Sequence, residues 1–138
     1  MKRVSIVQAA IALWFGAVGC WGGTIGWMGD YDRALMRARR TQKPLFVVMV
    51  RPSCQACREL IARMMENEKI ASILSTKTVA VIVTAGRRNY PVELLYTQRY
   101  PTLFLLSYDE IFLREPLDGV PDLSVLLGWL EKEAFDER

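Results

Sequence analysis

Three short stretches of the chain are apolar almost without interruption: Leu45-Phe46-Val47-Val48-Met49-Val50, Val79 to Val83, and Thr102 to Ser107. Such runs, rich in β-branched and aromatic residues and lacking alternation, read as strands covered on both faces. Between them the apolar spacing becomes helical. In Tyr31 to Thr41, Ala34, Leu35 and Ala38 recur among basic residues as an amphipathic helix. Lys43-Pro44 ends it, because a residue before proline is pushed out of the helical region. After Cys54, Leu60, Ile61, Met64 and Met65 share one helical face, and the Met64-Met65 pair is assigned to the core. Ile70, Ile73 and Leu74 add a further turn or a second short helix. Gly86 to Asn89 reads as a polar loop and Val92 to Gln98 as a short helix. Ile111 to Arg114 reads as a fourth strand across a turn at Asp109-Glu110, and Leu123 to Phe135 as a last amphipathic helix. Strands one and two are joined through helices and must run parallel, whereas three and four are close enough for a hairpin. The order predicts an α/β sandwich: a mixed sheet of about four strands with helices on both faces.

The first 29 residues follow a different pattern. Lys2 and Arg3 precede an uncharged run from Val4 to Gly29, most apolar at Ala9 to Val18, which is the layout of a secretory signal. Three readings stay open. Ala17-Val18-Gly19-Cys20 resembles a bacterial lipobox, with Cys20 as the lipidated residue, although Ala17 stands where leucine is preferred. The run is also long enough, at about 20 residues per span, for an uncleaved membrane anchor. Cleavage near Gly19 would instead release a soluble protein. Arg33, Arg37, Arg39, Arg40 and Lys43 follow the run, so the basic excess is not confined to its N-terminal side. The expected division is a signal, lipoprotein or anchor segment at 1–29 and one folded domain at 30–138, exported and, in two of the readings, attached to a membrane.

Composition narrows the chemistry. The 138 residues suffice for one core. The net charge of +3, from 18 basic and 15 acidic residues, is spread along the chain and gives no support for nucleic-acid binding. With no histidine and three cysteines, imidazole catalysis and a disulfide scaffold are both excluded. What remains is thiol or carboxylate chemistry.

The thiols of interest lie in Arg51-Pro52-Ser53-Cys54-Gln55-Ala56-Cys57-Arg58. Cys54 follows a buried strand and opens a helix, where free backbone N–H groups and the positive end of the helix dipole favour a thiolate. Arg51 and Arg58 add positive potential, and such surroundings lower a cysteine from about 8.5. Cys57, one turn further in and more shielded, suits a resolving role. The strand LFVVMV, this turn, and Tyr100-Pro101-Thr102 leading into LFLLS together resemble the thioredoxin-like family. So does the lead-in from Trp27 through Lys43-Pro44, and the resemblance runs from about Asp30 to Phe135. It implies a three-layer thioredoxin-like sandwich and a redox-active Cys54–Cys57 disulfide. Pro101 would be the family's cis-proline, and the backbone of Tyr100 would pair with the client chain. No cofactor and no metal are implied.

The chain also departs from that family. Val48 stands where thioredoxins carry a buried acid, Ser53 replaces the tryptophan before the first cysteine, and Gln55-Ala56 matches neither Gly-Pro nor Pro-His. The direction of electron flow is therefore left open. The leading expectation is a thiol-disulfide oxidoreductase in which Cys54 attacks and Cys57 resolves, serving exported client proteins and a membrane or periplasmic redox partner. The alternative is a non-catalytic binding module with a structural disulfide. Metal handling by the two thiolates ranks last, because a closed site would need a second chain.

Overall fold

The computed structural model describes residues 24–132; the cationic start, Cys20 and Phe135 lie outside them. Four helices and four strands follow in the order α1 (Tyr31–Thr41), β1 (Leu45–Val50), α2 (Gln55–Glu66), α3 (Glu68–Lys77), β2 (Val79–Thr84), β3 (Thr102–Leu106), β4 (Leu117–Asp118) and α4 (Leu123–Glu131). The sheet order is β2-β1-β3-β4. β1 pairs parallel with β2, from Leu45↔Val79 to Val50↔Thr84, and antiparallel with β3, from Leu45↔Leu106 to Met49↔Thr102.

Side chains alternate across the sheet, and both sets are buried, which is why β1 shows no polar positions. Phe46, Val48, Ala80, Leu103 and Leu105 face Leu60 and Met64 of α2, Ile70 and Leu74 of α3, and Leu126 and Leu130 of α4. Leu45, Val47, Met49, Val81 and Phe104 face Tyr31, Ala34, Leu35 and Ala38 of α1. The three-layer sandwich expected from the sequence is the observed one.

The helices begin and end where local chemistry permits. The Asp30 side chain accepts the Arg33 N–H at 3.2 Å and caps α1, and Gln42 closes that helix in the left-handed conformation, φ 57°. Asn67 ends α2 and caps α3, its Oδ1 accepting the Ile70 N–H at 3.0 Å. The predicted continuation after Met65 is thus a separate helix.

Four expectations need correction. Val92 to Gln98 is not a helix; it holds turns and one helix-type bond, Leu95 N–H to Pro91 O at 3.0 Å. Thr97 diverts the chain there, its Oγ1 accepting the Arg99 N–H at 3.1 Å, a side-chain bond that competes with helix. Ile111 to Arg114 makes only an isolated bridge, Leu106↔Phe112, and the fourth strand forms later at Leu117–Asp118. Pro116, which has no N–H, and Arg114, whose Nε donates to the Trp129 carbonyl at 2.9 Å, interrupt the pairing between them. Met65 is 46 % exposed while Met64 is fully buried, because α2 buries the stripe Cys57, Leu60 and Met64. Finally, the last helix ends at Glu131.

The folded unit also reaches upstream of Asp30. Ile25 is buried, Trp27 packs on Phe46 with ring centroids 6.2 Å apart, and Met28 bridges Val81 in parallel on the outer side of β2.

Candidate functional site

β1 delivers the chain to the site. Three exposed residues, Arg51-Pro52-Ser53, turn it, with Ser53 in the left-handed region at φ 59°. That turn leaves Cys54 extended at the N-cap of α2, where its Sγ accepts the Cys57 N–H at 3.1 Å. Sulfur thus occupies the capping place usually held by a serine, threonine or aspartate oxygen. The Cys57 N–H and the positive end of α2 are directed at that atom, a setting that favours negative charge on sulfur.

Cys54 and Cys57 are joined in a disulfide, with Cα atoms 5.3 Å apart. Cys54 is 7 % exposed and Cys57 2 %, so an incoming group meets the Cys54 sulfur first. Below the pair, Val48 is fully buried among Leu60, Met64 and other apolar side chains. Among the described residues the buried polar side chains are Thr78 and Thr102 alone, so no buried carboxylate serves Cys57 as a proton acceptor.

The antiparallel pairing Met49↔Thr102 carries the residues before β3 to the same end of the sheet. Tyr100–Pro101 is a cis peptide, and Pro101 is buried with its carbonyl accepting the Gly119 N–H at 2.8 Å. Tyr100 is half-buried, its hydroxyl donating to the Thr97 carbonyl at 3.1 Å. Among the described residues its own N–H and C=O make no hydrogen bond. Cys54, Cys57, Tyr100 and Pro101 therefore gather at one end of the molecule; Cys20 lies outside the described residues.

Sequence reasoning missed two parts of this end. The Arg51 guanidinium lies over the Tyr100 ring, 5.8 Å from its centroid, a contact between residues 49 positions apart that no local pattern announces. Thr97 and Thr102 share a hydroxyl contact at 2.9 Å, and Thr102 Oγ1 donates to the Arg99 carbonyl at 2.5 Å, which braces the loop in front of Pro101. The hydroxyls themselves were the available signal, because such side chains organise loops.

A C-x-x-C disulfide capping a helix after the central strand of a mixed sheet, opposite a cis-proline, defines a thioredoxin-type site. The chain belongs to the thioredoxin-like family, whose model matches residues 26–108. Anterior gradient protein 3 of Mus musculus is 38 % identical over 50 residues, 36 % of this chain and 30 % of that protein, so the match spans under a third of that relative's length. Among solved structures, a candidate disulphide isomerase from Bacteroides thetaiotaomicron superposes with a TM-score of 0.67 at 23 % identity, covering 83 % of this chain and 96 % of that one. A DsbH oxidoreductase gives 0.64 at 14 % identity over 83 % and 87 % of the two chains. A thioredoxin from Thermus thermophilus gives 0.62 at 17 % over 78 % and 85 %. At these identities the structures establish the fold.

Proposed function

We propose that this protein is a thiol-disulfide oxidoreductase acting on exported proteins. The observation that carries the reading is the Cys54 sulfur at the cap of α2, bonded to a partner one turn below it. In the reducing direction the Cys54 thiolate attacks one sulfur of a client disulfide. A mixed disulfide forms and the first client thiolate leaves. Cys57 then loses its proton to solvent and attacks Cys54 Sγ, which releases the second client thiolate and restores the Cys54–Cys57 bond. Two electrons pass from the pair to the client, and a dithiol on a redox partner returns them. The oxidising direction is the same sequence reversed. Tyr100 and Pro101 position the client backbone beside the sulfurs, an assignment supported by the Tyr100 N–H and C=O, which make no hydrogen bond among the described residues.

The N-terminal segment supports export, with the domain held on the outer side of a bacterial membrane by an anchor or by a lipid on Cys20. This location, too, is a proposal, drawn from the cationic start and the uncharged run.

Insulin reduction by the full-length protein tests the activity. The wild type is expected to turn over, Cys54→Ser to lose at least about a hundredfold, and Cys57→Ser to accumulate mixed disulfides visible on non-reducing gels. Equal rates for the wild type and Cys54→Ser would remove the reading and leave a binding module with a structural disulfide.

A further inference from the structure

Charged side chains are distributed unevenly around the redox pair. In the sheet order β2-β1-β3-β4, Cys54 follows one central strand, with the loop after β2 on one side and the segment after β4 on the other. Arg51 comes directly after Val50, and Arg87 and Arg88 lie three and four positions after Thr84. Val50 pairs with Thr84, and the Ala85 N–H donates to the Val50 carbonyl at 2.7 Å, so the two loops start side by side. Gly86 at φ 92° and Arg88 at φ 59° fold the second loop sharply. All three arginines are exposed, and among the described residues none forms an ion pair.

On the β4 side the charges are mixed. Asp118 and Asp122 flank Gly119-Val120-Pro121, with Asp118 paired to Arg99 at 3.8 Å. Nearer the cysteines, Glu59 is engaged by Gln55 Nε2 at 3.1 Å. The rim therefore carries Arg87 and Arg88 without ion-pair partners among the described residues on its β2 side, and on its β4 side the Asp118–Arg99 pair beside Asp122. Arg51 brings a third arginine to Tyr100, whose ring its guanidinium overlies and whose backbone N–H and C=O make no hydrogen bond among the described residues. A chain lying along Tyr100 meets a fixed positive charge on one flank.

We propose that Arg51, Arg87 and Arg88 form a selectivity face that recruits clients carrying aspartate or glutamate within a few residues of the reactive cysteine. The inference rests on the oxidoreductase reading and adds a substrate class to it. Arginine suits the task, since its planar fork of donors matches a carboxylate. Each exposed pair is weak, yet clustered cations raise the local concentration and the association rate of an acidic segment, and salt screens the effect.

The test uses two disulfide peptides that differ only in acidic or basic residues flanking the cysteines. The reduced full-length wild type is expected to favour the acidic peptide by about tenfold in kcat/KM at low ionic strength. The preference should shrink toward parity near 1 M salt, where the screening length is about 3 Å. Arg87→Glu/Arg88→Glu should abolish or reverse it. Versions of the peptides with serine in place of cysteine, followed by fluorescence anisotropy, read the face without any chemistry. Equal kcat/KM for both peptides in the wild type, or equal binding of both serine peptides, overturns the proposal. If neither disulfide peptide turns over, the oxidoreductase reading falls, and the serine peptides still decide the basic face.

Discussion

Tyr31 illustrates how a single side chain ties distant parts of the chain together. Its ring is buried against the α1 face of the sheet, and its hydroxyl donates to Glu110 Oε2 at 2.8 Å, across 79 residues of sequence. Arg39 sits 3.9 Å from the same carboxylate and donates to the Tyr108 carbonyl at 3.1 Å. Burial first, and then the Glu110 carboxylate, hold the phenol well above its ordinary range. The sign of the pH effect follows. Below about pH 10 both folded and unfolded chains keep the phenolic proton, and the contribution to stability is whole. Above that the unfolded chain releases its proton while the folded one retains it, so stability falls as pH rises. Tyr31→Phe is expected to cost about 1 kcal/mol at neutral pH and to remove this part of the alkaline decline. Urea unfolding of the oxidised protein at pH 7 and above pH 10 checks both; a constant gap between wild type and variant would show that the hydroxyl does not titrate late.

The cysteine-bearing helix depends for its direction on the joint at its far end. Asn67 has extended backbone at φ −87° and ψ 116°, closes α2 and caps α3 in one residue. This lets α2 and α3 both lay apolar stripes on the same sheet face without a connecting loop. Asn67→Ala leaves the Ile70 N–H without its acceptor and should cost about 1 kcal/mol, whereas Asn67→Asp should retain most of the stability. Thermal unfolding distinguishes them; equal losses for both variants would assign the effect to something other than the cap. The contents of these helices were readable in advance, since Leu60, Met64, Ile70 and Leu74 repeat at helical intervals. Which of Met64 and Met65 turned inward was not, because a one-residue difference in phase depends on where the helix starts, and the Cys54 cap sets that start.

Across the whole molecule, the stretch Ile25 to Met28 runs along the outer side of β2. The Met28 N–H donates to Ala80 and its carbonyl accepts from Ile82, both at 2.9 Å, which covers backbone that an edge strand would expose. Trp27, Phe46 and Trp129 form a tilted and edge-on aromatic stack beneath it. Trp27→Ala should therefore destabilise the domain by about 2–4 kcal/mol, read as a lower urea midpoint. An unchanged midpoint would mean that the stretch adds no stability. Because this stretch runs parallel to β2, the chain arrives at the end of the sheet where β1 and β2 begin, while Cys54 lies where β1 ends. A six-residue strand spans about 20 Å. The redox pair therefore lies roughly that far from the point where the chain enters the sheet.

Periodicity by itself determined the three buried strands, the amphipathic helices and the thiol pair at a strand-to-helix junction, because each depends on neighbours within a turn or two of chain. The placement of Tyr100 and Pro101 at the same end of the sheet as the cysteines was reachable only through resemblance to a known family. Tertiary structure alone decided where β4 forms and that Arg51 stacks on Tyr100. Those outcomes follow from pairings between residues far apart in sequence, whose energies no local window contains.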